Sequence, residues 1–338
     1  MMQPPNDIDY SIVICTYNPD QRILTRCLRA ISQLETTGLR IEIFLVDNNS
    51  NIALKDQSYI QEFEQKIPLM KILLVEKQGV QYARLAAIEQ SNGKYILYID
   101  YDNEPAADYI QQLKKLNDAY PEVAAWGPGE VSVDFIDGIE KSIESYARGS
   151  FQERHDNAIC FDNQPDWQNC YPFGTGLCTF SVVLKDYLRL ANEGRFTLSG
   201  RKGNSLSSGE DTQMVLLCIR NGFFAGVSPT LKLKHLIPNA RANSSYLNRL
   251  GFGTSYCYHT CLLQVFPERE SLLQKNLLSP SSFTRKSFRR LLDSRFGKKN
   301  PETFQLVHFI GLHAGSYAAL QKPIPTFIIW LIKYLKAG

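Results

Sequence analysis

The sequence predicts an α/β fold, a mainly parallel sheet flanked by helices with a helical C-terminal extension. Three observations carry that prediction. Through the first hundred residues, short runs rich in β-branched side chains alternate with stretches whose apolar residues recur at helical spacing. Polar residues gather where those runs end, the edge at which open parallel sheets bind ligands. A chain of 338 residues that is 44% hydrophobic has enough apolar material for a sizeable core.

The first run, SIVICTYN (11–18), reads as a strand, and RILTRCLRAISQL (22–34) as an amphipathic helix. IEIFLVDNNS gives a second strand ending at Asp47, followed by a helix near 55–66. MKILLVE (70–76) is a third strand, VQYARLAAIEQS (80–91) a helix, and YILYID (95–100) a fourth strand. Strands separated by helices need crossover connections, which run right-handed and set the strands parallel. Thr16, Tyr17, Asn18, Asp47, Asn48, Asp100 and Asp102 then fall at the carboxyl ends of the strands.

Composition narrows the function classes. A net charge of +3 does not by itself imply nucleic-acid binding, but it is uneven: from Ser281 onward ten Lys and Arg face two acidic residues. The N-terminal MMQPPNDIDYSIVICTYN lacks a basic segment followed by an apolar core and a cleavage site, so a cytoplasmic body is expected. The eight cysteines are scattered without CxxC pairs and are expected as free thiols, with Cys257 and Cys261 as small core residues. The sequons at Asn48 and Asn243 are then chance matches. No GxGxxG follows the first strand and no GxxxxGK[ST] occurs, which argues against dinucleotide and P-loop sites. A nucleotide held through a metal fits better.

Several side chains admit two readings. In YILYIDYDNEP, Asp100 and Asp102 either form a polar turn or, two apart on extended backbone, face one divalent cation together. In SLSSGEDTQMVLLCIRNGFFAG (205–226), Glu210 and Asp211 either complement a helix dipole or supply a general base. In LKLKHLIP (231–238), His235 at a strand end is either structural or a third metal ligand. Arg84 is either a solvated helix charge or part of the ligand site. The aromatic WQNCYPFGTGLCTF (167–180) is either an acceptor wall or a structural loop.

The order CTYN, VDNNS, QGVQYARLAAIEQSNGKYILYIDYDNEP, PFGTGLCTF, GEDTQM and HLIPNAR resembles the family 2 glycosyltransferases, over about residues 8–255. The resemblance implies the Rossmann-like GT-A fold and an inverting, nucleotide-sugar-dependent reaction using Mn²⁺ or Mg²⁺. It implies that Thr16, Tyr17 and Asn18 surround the base and that Asp47 hydrogen-bonds it. Arg84 matches an arginine near the nucleotide; Asp100 and Asp102 match the DxD motif for ribose and metal, Asp102 as the direct ligand. Asp211 matches the base, with Glu210 beside it at the donor, and His235 matches a metal-ligand histidine. Tyr101 stands where close relatives often have a third acid and Leu85 where they have asparagine, and both departures bear on donor and acceptor preference.

Two domains are expected, a catalytic one over 8–255 and a basic, apolar helical extension over 256–338. The extension's aromatic and lysine-rich end, too short after Pro323 to span a bilayer, points either to a helix lying on the anionic cytoplasmic leaflet or to packing on the catalytic domain. The expected activity is transfer from a UDP-type sugar to a hydroxyl of a glycan or lipid-linked acceptor in surface polysaccharide synthesis. The alternative is a non-catalytic nucleotide-sugar-binding or assembly protein.

Overall fold

A computed structural model describes residues 8–338 except 199, 201–205, 207 and 299. The chain forms two compact units. The first comprises residues up to Asp134, Gln152–Thr197 and Met214–Leu236; the second comprises Phe135–Phe151, Leu198–Gln213 and Ile237–Gly338.

The first half alternates as expected: β1 (Ile8–Thr16), α1 (Gln21–Ser32), β2 (Ile41–Asp47), α2 (Ser58–Lys66), β3 (Met70–Leu74), α3 (Val80–Gln90) and β4 (Gly93–Tyr98). Next come β5 (Asn103–Pro105), α4 (Tyr109–Ala119), β6 (Val123–Phe135), α5 (Lys141–Ser150), β7 (Arg154–His155), β8 (Cys160–Asp162) and β9 (Cys178–Phe180). The remainder is α6 (Ser181–Asn192), α7 (Glu210–Arg220), β10 (Phe224–Ile237), α8 (Ser244–Val265), α9 (Glu270–Asn276), α10 (Pro280–Asp293), α11 (Asn300–Ala319) and α12 (Thr326–Tyr334).

The sheet belongs to the first unit, with strand order β3-β2-β1-β4-β9-β6-β10-β5. Strands β3, β2, β1 and β4 are parallel. Strand β9 is antiparallel to both β4 and β6, so β6 runs with β4. Every residue of β2 is buried, as expected for a parallel strand covered on both faces. Helix α1 begins at Asp20, whose carboxylate accepts from the Arg22 N–H at 2.9 Å, and buries Ile23, Leu24, Cys27, Leu28 and Ile31 along one stripe. Leu24, Cys27, Leu28 and Ile31 join one core with Ile12, Ile14, Ile43, Leu45 and Trp126.

The short strands β5, β7, β8 and β9 were not expected from periodicity, because two or three residues carry no period. The expected domain junction at 255 falls inside α8, an uninterrupted helix, because the second unit draws on three separate segments.

In that second unit α8 packs along α11 through small residues: a Cβ at Gly315 would collide with the Tyr256 carbonyl oxygen. The close approach also brings histidines to the seam. Ser255 Oγ lies 2.7 Å from His308 Nδ1, and Ser316 Oγ lies 3.1 Å from His259 Nδ1. His313 sits against the rings of Phe283 and Phe309. Burial, reinforced by His259, Lys286 and Arg290, lowers its pKa to about 4, and burial also lowers those of His259 and His308.

Unfolded histidine titrates near about 6.5. Between that value and about 4, the unfolded chain binds a proton that folded His313 does not, so stability is full above the upper value and is lost as pH falls through the window. The thermal midpoint is therefore expected to drop from pH 7 to pH 4.5, with a shallower slope in His313→Asn. An identical slope in that variant would remove His313 from the account.

Candidate active site

The carboxyl edge of the parallel strands is braced by its own polar side chains. Thr16 and Asp47 are register partners at the ends of β1 and β2. The buried Asp47 carboxylate accepts from the Ser50 N–H and the Leu54 N–H, both at 2.9 Å, and so shapes the loop after β2. Asn18 adopts φ 45°, a left-handed conformation that asparagine tolerates. Its N–H donates to Ser50 Oγ at 2.9 Å, and its Oδ1 accepts from the Asn51 N–H at 2.8 Å, which joins the two loops. Thr16 is buried, its hydroxyl directed to the Val46 carbonyl at 3.3 Å, whereas Tyr17 is 44% exposed and presents an aromatic face at this edge.

Asn48 does more than the sequence suggested. Its Oδ1 accepts from the Gly79 N–H at 2.7 Å while Nδ2 donates to the carbonyls of Val75 (3.0 Å) and Lys77 (2.8 Å). It is 4% exposed, so this sequon is committed to the interior, and Asn243 of the other caps α8 through the Tyr246 N–H at 3.0 Å.

Asp100 and Asp102 lie beyond the end of β4, in a turn closed by the Asn103 N–H donating to the Asp100 carbonyl at 2.9 Å. The extended backbone expected through YILYID therefore stops at Tyr98, and the argument that alternate carboxylates face one way does not apply. Two neighbourhoods result. Asp100 Oδ1 stands 3.7 Å from Arg84 Nη2, and the Arg84 guanidinium lies 5.2 Å from the ring centre of Tyr98. Arg84 is 5% exposed, which rules out a solvated helix charge. Burial raises the Tyr98 phenol pKa, against the partial opposition of Arg84.

Asp102 turns instead to His235, with Oδ2 and Nε2 3.5 Å apart and both residues buried. Asn103 sits beneath them, accepting from the Asp100 N–H and donating to Asp102 Oδ1, both at 3.1 Å. Antiparallel pairing of β5 with β10 puts His235 opposite Asn103, and the Leu236 N–H donates to the Asp102 carbonyl at 2.8 Å.

Among the described residues no three His, Cys, Asp or Glu side chains gather to hold a metal, so Asp100, Asp102 and His235 do not form one cluster. The Asp102–His235 pair does fit a cation. Its 3.5 Å separation exceeds a hydrogen bond, and two donors at about 2.1 Å on neighbouring coordination positions stand roughly 3.0–3.5 Å apart. A site with two protein donors leaves positions for diphosphate oxygens and water, as Mg²⁺ sites commonly do.

Glu210 and Asp211 open α7 and belong to the second unit. The α7 N-terminus is seated by α8: Cys261 Sγ donates to the Gly209 carbonyl at 3.3 Å, and Gln213 Nε2 donates to Gln264 Oε1 at 2.6 Å. Gly209 has φ 143°, and a side chain there would meet Cys261. Glu210 is buried; Asp211, partly exposed, accepts from the Thr212 N–H at 2.9 Å.

The aromatic loop is mostly internal. The Tyr171 hydroxyl donates to the Gln164 carbonyl at 2.5 Å, and Tyr109 donates to that of Gly176 at 2.8 Å. Trp167 and Phe173 stack at 6.0 Å, Phe173 being exposed.

A family profile described as Glycosyl transferase family 2 matches residues 11–179, half of the chain. The chain belongs to glycosyl transferase family 2. An N-acetylglucosaminyltransferase of Rhizobium meliloti is 32% identical over 116 residues, 34% of this chain and 26% of the relative. One of Mesorhizobium japonicum is 23% identical over 235 residues, 68% of this chain and 51% of the relative. This family 2 chain thus spans between about a quarter and a half of their lengths. The structure of S. aureus TarS 1-349 in complex with UDP-GlcNAc is 12% identical, with a TM-score of 0.45, covering 93% of each chain. The mainly parallel sheet with its flanking helices, followed by further helices toward the C-terminus, is the expected fold class.

Asp47→Asn replaces one acceptor oxygen with a donor, setting it against a backbone N–H. Urea unfolding is expected to show a loss of about 1–3 kcal/mol. An unchanged midpoint would mean that the paired amides add nothing to stability.

Proposed function

We propose that the chain is an inverting, metal-dependent glycosyltransferase moving a sugar from a UDP-type donor to a hydroxyl of a glycan or lipid-linked acceptor, in surface polysaccharide synthesis. The observation that carries the proposal is the buried Asp102–His235 pair, held at a distance suited to two ligands of one cation, in a chain of family 2. The relatives' name, N-acetylglucosaminyltransferase, supports an N-acetylglucosamine donor as the first to try.

Asp102 and His235 would hold Mn²⁺ or Mg²⁺, which would supply charge neutralisation for the departing diphosphate. Tyr17 offers a face for the base, with the loops of Asn18 and Asp47 holding it in place. Asp47, 1% exposed, serves the base through the loop that its two amide bonds shape. Asp100, with Arg84 behind it, faces the ribose, and Glu210 supports the donor side. Asp211 takes the acceptor hydroxyl proton as that oxygen attacks the anomeric carbon from the side opposite the diphosphate. One carbon–oxygen bond forms as another breaks, the bonding pair leaving with the diphosphate, and the anomeric centre inverts.

Purified protein with UDP-N-acetylglucosamine, other nucleotide sugars and Mn²⁺ tests the reading. Transfer or donor hydrolysis is expected; tight binding without turnover across acceptors would favour a non-catalytic binding protein.

Two variants separate the roles. Asp211→Asn should keep donor affinity while transfer falls about 10²-fold or more. If donor binding is lost and the chemical step survives, Asp211 is a binding residue. Asp102→Asn preserves shape in a buried position and should abolish the dependence of nucleotide binding on Mn²⁺, read by calorimetry with and without chelator. Retained Mn²⁺ dependence in folded Asp102→Asn protein would remove Asp102 from the metal site.

A further inference from the structure

The second unit carries an aromatic, basic face that its core does not use. Helix α10 buries Phe283, Ser287 and Leu291 and turns Arg285, Phe288, Arg289 and Leu292 outward. Helix α12 buries Ile328 and Leu331 and turns Ile329, Trp330, Lys333 and Tyr334 outward. The outward apolar residues, with Phe296 after α10, are each between 42% and 53% exposed.

They form one patch. Phe288 meets Phe327 at 6.1 Å between ring centres, Phe327 meets Trp330 at 5.6 Å, and Trp330 stacks on Tyr334 at 5.2 Å. The Tyr334 hydroxyl donates to the Phe296 carbonyl at 3.0 Å, which ties the end of α12 to the turn after α10. Exposed Arg295, Lys298 and Lys336 extend the cationic rim.

We infer that this face is a docking surface for an anionic lipid leaflet, on which α10 and α12 lie in the plane of the interface. Trp, Tyr and Phe beside Lys and Arg is the composition that settles at the headgroup boundary, where rings have one apolar side and cations meet lipid phosphates. At nine residues α12 is about 14 Å long, under half of a hydrocarbon core. Among the described residues no helix is long and apolar enough to cross a membrane. A second copy is a poor occupant, because a two-fold contact on this patch would set its cations against their own kind. The inference stands apart from the transfer reaction, since vesicle binding needs no substrate.

The test uses the full chain with vesicles of phosphatidylglycerol and phosphatidylcholine, and with phosphatidylcholine alone. Co-sedimentation with the anionic vesicles is expected, weakening as salt rises. The Trp330 emission should shift to the blue and be quenched by brominated lipid, both effects disappearing in Trp330→Phe. Charge reversal in Arg285→Glu, Arg289→Glu and Lys333→Glu together should lower partitioning at least about 100-fold. Trp330→Ser with Tyr334→Ser should also lower it, and circular dichroism should show both variants folded, since the side chains are exposed. Absence of binding to anionic vesicles at low salt, or binding unaltered in both folded variants, would overturn the inference. So would a concentration-dependent dimer abolished by Trp330→Ser, which would assign the face to a second copy.

Discussion

The site depends on one short piece of backbone pairing, the antiparallel ladder of β5 and β10. Three residues, Asn103 to Pro105, pair with Leu233 to His235, and that register alone brings the Asp100–Asp102 turn to the imidazole. Strand β5 ends the sheet, which lets it contain Pro105 without a missing donor in the interior of the ladder. Its middle residue is gripped from another element. Arg26 of α1 donates from Nε and Nη2 to the two oxygens of Glu104 at 2.7 and 2.8 Å, and Nη2 also reaches Asp134 at 3.2 Å. Such a bidentate clamp has a fixed plane as well as a charge, so it orients the turn rather than merely attracting it. Buried Asp102 is partnered by Asn103 Nδ2, and the ladder holds its other oxygen beside His235.

The carboxyl edge of β1 and β2 follows the same logic through backbone groups. Asn18, Asp47 and Asn48 spend most of their hydrogen-bonding capacity on backbone amides and carbonyls of neighbouring loops. Loops fixed this way pay their ordering entropy on folding rather than on ligand binding. A residue can therefore match a ligand-binding position and still act mainly as a brace, as Asp47 does through the Ser50 and Leu54 amides.

Much of this was legible in the sequence where the signal is local. The alternation of β1 to β4 with α1 to α3 follows from period and β-branching, and the polar strand ends from simple inspection. The break at Lys322 and Pro323 likewise appears as the gap between α11 and α12. What escaped depends on partners far away in the chain. The Arg26–Glu104 clamp joins residues 78 apart, and the Asn48 brackets join residues about 30 apart. The turn at Asp100 looked like continuing strand because its closing partner, Asn103, also reads as an ordinary polar loop residue. Arg84 read as either a solvated charge or part of the ligand site because helix α3 shows little amphipathic contrast, and its burial goes with its packing beside Tyr98 and Asp100.

The C-terminal region read either as a membrane-lying segment or as helices packed on the catalytic domain. Its helices share a core: Phe283 and Leu291 of α10, Leu306, Val307 and Ile310 of α11, and Ile328 and Leu331 of α12 pack with Phe252 of α8. Removing everything after residue 281 would strip those partners from α8 and expose its glycine-lined seam with α11. Helix α8 is also what seats the start of α7, through Cys261 on Gly209 and Gln264 on Gln213. The backbone carrying Glu210 and Asp211 is thus held by the same folded unit that presents the aromatic, basic face. Lost activity in a truncated chain would therefore say little about localisation, because the cut disturbs the support of the proposed base. Substitutions confined to exposed rings and cations leave that support in place, and they separate membrane docking from catalysis where deletion cannot.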